Sequence, residues 1–428
     1  MMKRLLEFFK SLLILALIAS AFFLTYQAWS MSIGTSGNLD ALFRGGEPEV
    51  PDSYTEYEEY SSVLTLLTPI QAIVRNEEGL CTLPDAGSAV ALFERTRTTL
   101  QEALTTAKDT ERIALSQWKD ALNRTMVLYN FEAAVPLDCI SVISTGLEAS
   151  FPDVVRLILE ASDSGMVTLY FEDVYGAYLR CETDTSASSL YAMLLDYTPD
   201  GSVFLFEINA SADSFVTTLP RTGVVLEKTT VLTHSLSTDS NRMIANVLEA
   251  YGFNSYTTKA YPETNTTRVY VEELNTMRLS DDGTVRFYAP EMDTGERTEP
   301  GSFQKAGILA DAFDICRQAF GNSLSDAQIY LIKTYTDKET GRFVVLFGAH
   351  VDGVPIVTQP GYIASFEYCG SQLAVSDCYL HGYSKSEISD PLLPAEQAYA
   401  SLTGWGDLAL RYVEEDGRYV LDWYEIGE

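Results

Sequence analysis

The 428-residue chain has few histidines and few basic residues. Its three histidines, His234, His350 and His381, are too few for a two-metal centre, which needs several histidine and carboxylate ligands. Lysine and arginine number 29 against 60 aspartates and glutamates, and the resulting net charge of −31 repels nucleic acid and anionic polymers. The sequence also lacks a phosphate-binding loop, a nucleophile elbow and a calcium-loop pattern. We therefore predict no catalytic residue, no cofactor and no metal site.

Cysteine is also sparse, and no cysteine precedes Cys81, which argues against a lipoprotein. The six cysteines contain no C-x-x-C motif, although their even number allows disulfides in an exported protein. Cys369 and Cys378 are the nearest in sequence and the favoured candidates for a pair. The alternative is that all six are small buried apolar residues.

The N-terminus carries the longest apolar run. Lys3, Arg4 and Lys10 precede an uncharged stretch that begins at Ser11, and Ser11–Trp29 would rise about 28 Å as a helix, close to a bilayer core of about 30 Å. We predict a cytoplasmic start at 1–10 and a transmembrane helix at 11–30, with Trp29 at the outer interface. The bulk of the chain is then extracytoplasmic, attached to the cell membrane by a single span.

A cleaved signal peptide is the alternative interpretation of this segment. The charged start, the apolar centre and Ala19-Ser20-Ala21 match such a peptide loosely. The apolar run continues through Phe22 to Tyr26, beyond the proposed cleavage site. This continuation is needed by an anchor and not by a secretory signal, so we favour the anchor.

Beyond the anchor, composition and periodicity predict an acidic linker at 31–60 and three folded parts at 61–214, 215–300 and 301–428. The predicted fold class is α+β: one N-terminal transmembrane helix followed by a multidomain exterior of antiparallel sheets, each packed on one or two helices.

Local patterns place the main elements of this exterior. Apolar spacing predicts helices at about Thr110–Leu122, Ala187–Leu195, Arg242–Tyr251 and Gln304–Ala319, and a strand at Met126–Phe131. Three Asp-Gly pairs lie between β-forming runs, where this dipeptide favours tight hairpin turns. The three pairs are Asp282-Gly283, Asp352-Gly353 and Asp416-Gly417.

Three short motifs resemble catalytic signatures. The His-x-Asp of GAHVDG at 348–353 could belong to a metallopeptidase, but the other ligands are missing, and we interpret His350 as the end of a strand before a hairpin turn. The two Ser-x-x-Lys matches, at 116–119 and 302–305, lack the companion motifs of penicillin-binding proteins. Acidic neighbours at 414–416 could suggest a glycosidase pair, but adjacency on a strand is no evidence of a shared site.

The order of parts nevertheless resembles a known family. A basic start and one apolar span are followed by TPIQAIVRNEEGLCTL, a helix, and SQWKDALNRTMVLYNFEAAVPLD. The C-terminal part runs from SFQKAGILADAFDICRQAF through FVVLFGAHVDGVPIV to LRYVEEDGRYVLDWYEI. These parts resemble the YycH family, and the C-terminal units are similar to those of the sister family YycI and to PepSY-type modules.

The resemblance implies a non-enzymatic regulator of an essential two-component sensor histidine kinase, WalK or YycG, that controls cell-wall metabolism in Gram-positive bacteria. It implies that the span packs beside the transmembrane helices of the kinase and that a YycI-like partner assists. In this chain the candidate contact stripe is Ala16, Ser20, Phe23 and Gln27, which share a helical face. Small residues in this stripe allow two helices to approach closely, and Gln27 could form a hydrogen bond across the interface. Alternatively, Gln27 lies at the headgroup level and Ala16 faces lipid.

A second function class stays open. The chain could be an anchored or secreted extracytoplasmic binding module for a wall-derived ligand or protein. Full activity of a soluble exterior would favour this class, whereas loss of function on scrambling the contact stripe would favour the regulator.

Overall fold

The computed structural model describes residues 66–83, 85–140, 151–208, 217–218, 223–230, 238–255, 257–264, 266–290, 300–401 and 407–426. The predicted anchor, the acidic linker and the stripe of Ala16, Ser20, Phe23 and Gln27 lie outside these residues. None of the helices in the described ranges is long and apolar enough to cross a membrane. The described residues belong to one compact unit, Ser53–Glu428.

The N-terminal part of this unit is built on a seven-stranded sheet with the order β2-β1-β4-β5-β6-β7-β3. Two helices, α1 and α2, interrupt the strands along the chain, and α3 and α4 follow them. In chain order the elements are β1 Gln71–Asn76, β2 Gly79–Leu83, α1 Ala86–Thr105, β3 Glu111–Ile113, α2 Leu115–Leu122, β4 Met126–Pro136, β5 Asp153–Ala161, β6 Met166–Asp173, β7 Tyr178–Ser186, α3 Ser188–Leu194 and α4 Leu205–Ile208.

The inner strand β4 has buried side chains on both faces of this sheet. Val127 and Tyr129 lie in the larger core with Phe93 and Leu100 of α1, whereas Met126 and Leu128 alternate onto the opposite face. That second core is completed by Trp118 of α2 and by the phenylalanines that flank and form α4. Because strand side chains alternate between faces, burial on both faces requires consecutive apolar residues, and Met126–Tyr129 supplies them. The strand predicted at Met126–Phe131 is therefore confirmed and extends to Pro136.

A nine-stranded sheet has the order β13-β14-β16-β17-β12-β11-β10-β9, with β15 paired to β14. Helices α5 and α6 contact each other, and α6 also contacts β16. The elements are α5 Thr238–Ala250, β9 Lys259–Pro262, β10 Thr267–Glu272, β11 Asn275–Ser280, β12 Thr284–Tyr288, α6 Ser302–Phe320, β13 Gln328–Thr336, β14 Phe343–Val351, β15 Val354–Pro355, β16 Ala364–Cys369 and β17 Gln372–Tyr379.

A four-stranded sheet has the order β18-β8-β20-β19. Its strands are β8 Gly223–Thr230, β18 His381–Asp390, β19 Asp407–Glu415 and β20 Arg418–Ile426, and the short helix α7 Ala395–Ala400 precedes β19. Every pairing between the named strands is antiparallel. The α+β prediction is therefore confirmed for the described residues.

Both C-terminal sheets combine strands from either side of residue 300. In one sheet β12 pairs with β17, and in the other β8 pairs with β18 and β20. The hydrogen-bonded pairs therefore join the predicted central and C-terminal parts, 215–300 and 301–428, into shared sheets. The division of the chain into three domains stays a prediction.

All three Asp-Gly pairs lie in turns between strands, as predicted. Gly283, Gly353 and Gly417 have φ angles of 90°, 75° and 81°, and Asp352 and Asp416 also have positive φ angles of 49° and 48°. Glycine adopts this left-handed backbone readily, and aspartate tolerates it better than most residues do.

The predicted pairing of Cys369 with Cys378 is wrong. All six cysteines are free, and in the β16–β17 hairpin Cys369 lies opposite Gln372, whereas Cys378 lies opposite Ala364. Six residues of extended strand separate Gln372 from Cys378, a distance of roughly 20 Å. A disulfide requires Cα atoms less than about 7 Å apart, so this hairpin register excludes the bond.

Candidate functional site

The motifs that resembled catalytic signatures have structural partners. His350 is the penultimate residue of β14 and is buried, and its Nδ1 accepts a hydrogen bond from the backbone N–H of Gly353 at 3.3 Å. Among the described residues, no group of three histidine, cysteine, aspartate or glutamate side chains could hold a metal ion. His350 therefore stabilises the hairpin turn that follows it. His234 lies outside the described residues.

The Ser-x-x-Lys motif at 302–305 binds the N-terminal part of the protein. The Ser302 hydroxyl donates to Asp138 Oδ2 at 3.0 Å, and Lys305 Nζ lies 3.9 Å from the same oxygen. The Lys305 side chain is only 18% exposed, so this contact is largely shielded from solvent. In the other motif, Lys119 Nζ lies 5.1 Å from the centre of the Phe206 ring. Both lysines are engaged in packing contacts.

The burial of His350 makes the stability of the protein depend on pH. Burial lowers the pKa of His350 to about 4, although Asp352 acts in the opposite direction. As pH falls, His350 becomes protonated near pH 6.5 in the unfolded chain but only near pH 4 in the folded chain. The free energy of unfolding therefore rises with pH between about pH 4 and pH 6.5. We expect His350 to contribute roughly 3 kcal/mol to the difference in unfolding free energy between the two ends of the interval.

The matching variant is His350→Gln, which cannot titrate. Urea denaturation at about pH 7 and about pH 4.5 should show a smaller loss of stability for this variant than for the wild type. Equal losses in the two proteins would show that the pKa of His350 in the folded state is close to its ordinary value.

A cleft of about 480 Å³ lies where the four-stranded sheet meets the nine-stranded sheet. We call it the tyrosine cleft, because Tyr362, Tyr379, Tyr383 and Tyr419 all line it. Its volume is within the range of about 300–1,000 Å³ that is usual for small-molecule sites. Polar residues from several elements also line this cleft: Lys228, Thr358, Gln359, His381, Glu414 and Asp416.

The four tyrosines form two pairs. Tyr383 and Tyr419 are buried, and their rings meet edge to face with centroids 5.3 Å apart. Tyr362 and Tyr379 are half-buried, with centroids 5.9 Å apart. One pair thus forms the packed base of the cleft, and the other keeps part of its aromatic surface open to a ligand.

His381 is an unusual group in this cleft. Its Nδ1 is buried and finds no hydrogen-bond partner within the described ranges. Burial, together with the ammonium group of Lys228, lowers the pKa of His381 to about 4, against the opposing charges of Asp282 and Glu414. The imidazole is therefore neutral at pH 7. The unsatisfied nitrogen costs the fold about 1–3 kcal/mol.

The charges in the cleft are mixed. Glu414 and Asp416 are exposed carboxylates, and Lys228 supplies one ammonium group. The Tyr419 hydroxyl donates to Glu414 Oε2 at 3.2 Å, and burial and this carboxylate raise the pKa of Tyr419 to about 12. Tyr419 is thus a fixed donor that orients Glu414 while leaving its other oxygen available to a ligand.

One wall of the cleft is a loop that hydrogen bonds hold at both ends. The Val357 N–H donates to the Tyr412 carbonyl at 2.9 Å, and the Ile363 N–H donates to the Phe347 carbonyl at 2.8 Å. Within the loop, the Thr358 hydroxyl donates to the Tyr362 carbonyl at 3.1 Å. The wall is therefore formed before any ligand arrives, which lowers the entropic cost of binding.

A second, more open groove of about 760 Å³ lies on the N-terminal sheet. Two of its charged groups already have partners: Arg124 pairs with Glu160 at 2.8 Å, and Glu77 accepts a hydrogen bond from the Tyr191 hydroxyl at 2.6 Å. The groove is also wider and offers a ligand no aromatic pair such as Tyr362 and Tyr379. The tyrosine cleft is the stronger candidate.

The sequence patterns did not identify the tyrosine cleft. The sequence contains His381 and an acidic run at 414–416, but neither feature by itself indicates a binding site. The available signal was an alternation, since Tyr379, His381 and Tyr383 are two residues apart. Nothing in that alternation indicates which distant strands complete the cleft.

Comparisons with known proteins add no assignment. No family model and no curated protein matches the chain. A solved structure of the dehydratase domain of a mycocerosic acid synthase-like PKS is similar at 10% identity with a TM-score of 0.13, and the match covers 68% of this chain and 89% of that chain. A similarity this low carries no argument about fold or activity.

Proposed function

We propose that this protein is a membrane-anchored extracytoplasmic regulator of a WalK/YycG-like sensor histidine kinase that controls cell-wall metabolism. The observation that carries the proposal is the order of parts: a basic start, an uncharged run from Ser11, an acidic stretch, and then a large folded unit. The α+β character of the described residues agrees with the resemblance to the YycH family. In this proposal the protein acts without catalysis, by favouring one signalling state of the kinase over another.

The contact with the kinase would be made within the bilayer. Ala16, Ser20, Phe23 and Gln27 share one helical face, and their small residues permit close approach of a second helix. A YycI-like partner would contact the exterior. The net charge of −31 opposes both nucleic acid and an anionic lipid surface, so attachment depends on the apolar segment.

Photocrosslinking in the membrane tests this proposal. A photoreactive residue at Ser20 should capture a sensor histidine kinase, identified by mass spectrometry. The same residue at Ile18 is the matched control, because this position lies on the opposite side of the predicted helix and should capture lipid. Capture of only lipid or unrelated proteins from a properly inserted Ser20 probe would contradict the proposal.

The tyrosine cleft favours a second candidate function, an extracytoplasmic binding module for a wall-derived ligand. The specific observation is a preformed cleft in which the half-buried rings of Tyr362 and Tyr379 lie with the exposed carboxylate of Glu414. Full activity of a soluble exterior without residues 1–30 would favour this second candidate. Loss of activity on scrambling the contact stripe would favour the regulator.

A further inference from the structure

We propose that the tyrosine cleft binds an uncharged saccharide, with a sugar ring against Tyr362 and Tyr379 and its hydroxyl groups on Glu414, Asp416 and Lys228. This inference rests on the second candidate function, the binding module, and names the chemistry of its ligand.

The charge balance of the cleft disfavours an anionic ligand. Two carboxylates and one ammonium group line the cleft, and His381 is neutral, so the lining is slightly negative in a protein with a net charge of −31. A phosphate or carboxylate ligand would be repelled by Glu414 and Asp416, whereas an uncharged ligand carries no such penalty.

The hydrogen-bonding groups of the cleft fit hydroxyl groups in particular. Glu414 and Asp416 only accept hydrogen bonds, whereas Lys228 only donates them. A hydroxyl group both donates and accepts, so neighbouring hydroxyls on one ring can satisfy both kinds of partner. The Gln359 amide lines the same cleft and provides one more donor and one more acceptor.

The aromatic groups fit the apolar face of a sugar ring. Tyr362 and Tyr379 are half-buried, so the surrounding protein fixes their rings while part of each remains accessible. The electron-rich face of an aromatic ring attracts the weakly positive C–H groups that line one face of a pyranose. A sugar ring has an apolar C–H face and polar hydroxyl groups. The aromatic surface of the cleft matches the first, and its carboxylates and amide match the second.

Saturation-transfer NMR on the full chain tests this proposal, with the protein held in a detergent that has no sugar headgroup. The probes are cellobiose and N,N′-diacetylchitobiose, with glucose 6-phosphate as the anionic comparator. We expect saturation transfer to at least one of the two uncharged disaccharides at millimolar concentration and none to the phosphate. Transfer to neither disaccharide, or equal transfer to the phosphate, would overturn the proposal.

Variants then locate the bound sugar. Glu414→Gln and Tyr362→Ala should each weaken binding by at least about tenfold, as expected for losing a hydrogen bond to a charged group or an aromatic platform. Tyr362→Phe keeps the ring and should bind within about threefold of the wild type, so it separates loss of the aromatic face from loss of folding. Unchanged binding by both Glu414→Gln and Tyr362→Ala would place the sugar elsewhere and reject the cleft.

Two matched controls lie outside the cleft. Glu415→Gln changes the neighbouring carboxylate, which does not line the cleft, and Tyr175→Ala removes a tyrosine that is 90% exposed. Both should bind the sugar within about twofold of the wild type. This test is independent of the kinase. Capture of a kinase without sugar binding would support the regulator proposal and reject the saccharide proposal. Sugar binding without capture of a kinase would support the saccharide proposal and reject the regulator proposal.

Discussion

Replacing Glu132 by alanine is expected to lower the free energy of unfolding by about 3–5 kcal/mol. Glu132 belongs to β4 of the seven-stranded sheet, and its Oε2 lies 2.6 Å from Nη2 of Arg411 in β19 of the four-stranded sheet. Both side chains are only 14% exposed. Removing the carboxylate would leave the guanidinium of Arg411 buried without its partner, at a point where two sheets meet.

The electrostatic environment of Glu132 shows that the pair is favourable. Burial alone would raise the pKa of Glu132, but the guanidinium groups of Arg411 and Arg156 outweigh burial and hold the pKa below its ordinary value. The pair therefore stabilises the fold fully above the ordinary glutamate pKa of about 4.3, and this contribution is lost as pH falls through the lower, folded pKa. The difference in unfolding free energy between the wild type and Glu132→Ala should therefore become smaller at acidic pH.

Urea denaturation at neutral pH measures the effect, and Asp196→Ala is the control. Asp196 pairs with Arg95 at 3.2 Å, but the two side chains are 69% and 48% exposed. An exposed pair contributes at most about 1 kcal/mol, so the control should lose far less stability than Glu132→Ala. Similar losses in the two variants would mean that water reaches the Glu132 pair freely. A double-mutant cycle with Arg411→Ala isolates the coupling between the two charges.

Local features of this fold could be predicted because a few adjacent residues determine them. The Asp-Gly turns follow from the backbone preferences of two residues, and the burial of both faces at the start of β4 follows from the apolar run Met126–Tyr129. The helix predicted at Gln304–Ala319 is observed at Ser302–Phe320 for the same reason, since its apolar spacing is continuous. Periodicity shows that such segments have buried faces.

Features that depend on distant residues could not be predicted. The helix expected at about Thr110–Leu122 begins only at Leu115, because residues 111–113 form β3 and Ile113 lies opposite Tyr178 of β7. The tyrosine cleft depends on the pairing of β8 with β18, which joins segments about 150 residues apart. Strand alternation indicates which side chains share a face but not which strand lies beside them.

The Asp352-Gly353 turn contacts the N-terminal part of the chain, and a substitution in this turn is expected to lower stability strongly. Gly353→Ala is expected to lower the free energy of unfolding by about 2–5 kcal/mol, from the cost of a left-handed backbone plus overpacking. Gly353 has a φ angle of 75°, and a Cβ atom there would collide with the carbonyl oxygen of Ile70. Backbone cannot move aside as a flexible side chain can, so the turn and the start of β1 would have to separate.

Gly417→Ala is the matched control, because the same dipeptide forms the turn between β19 and β20. Gly417 has a φ angle of 81°, but a Cβ atom there would meet nothing within 4 Å. This variant should lose only the backbone cost of about 1–2 kcal/mol. Urea denaturation of both variants therefore separates the effect of the collision from that of backbone strain. A larger loss of stability for Gly353→Ala would show that the turn lies against Ile70. Equal losses would contradict that contact and show that neither turn is packed on the N-terminal sheet.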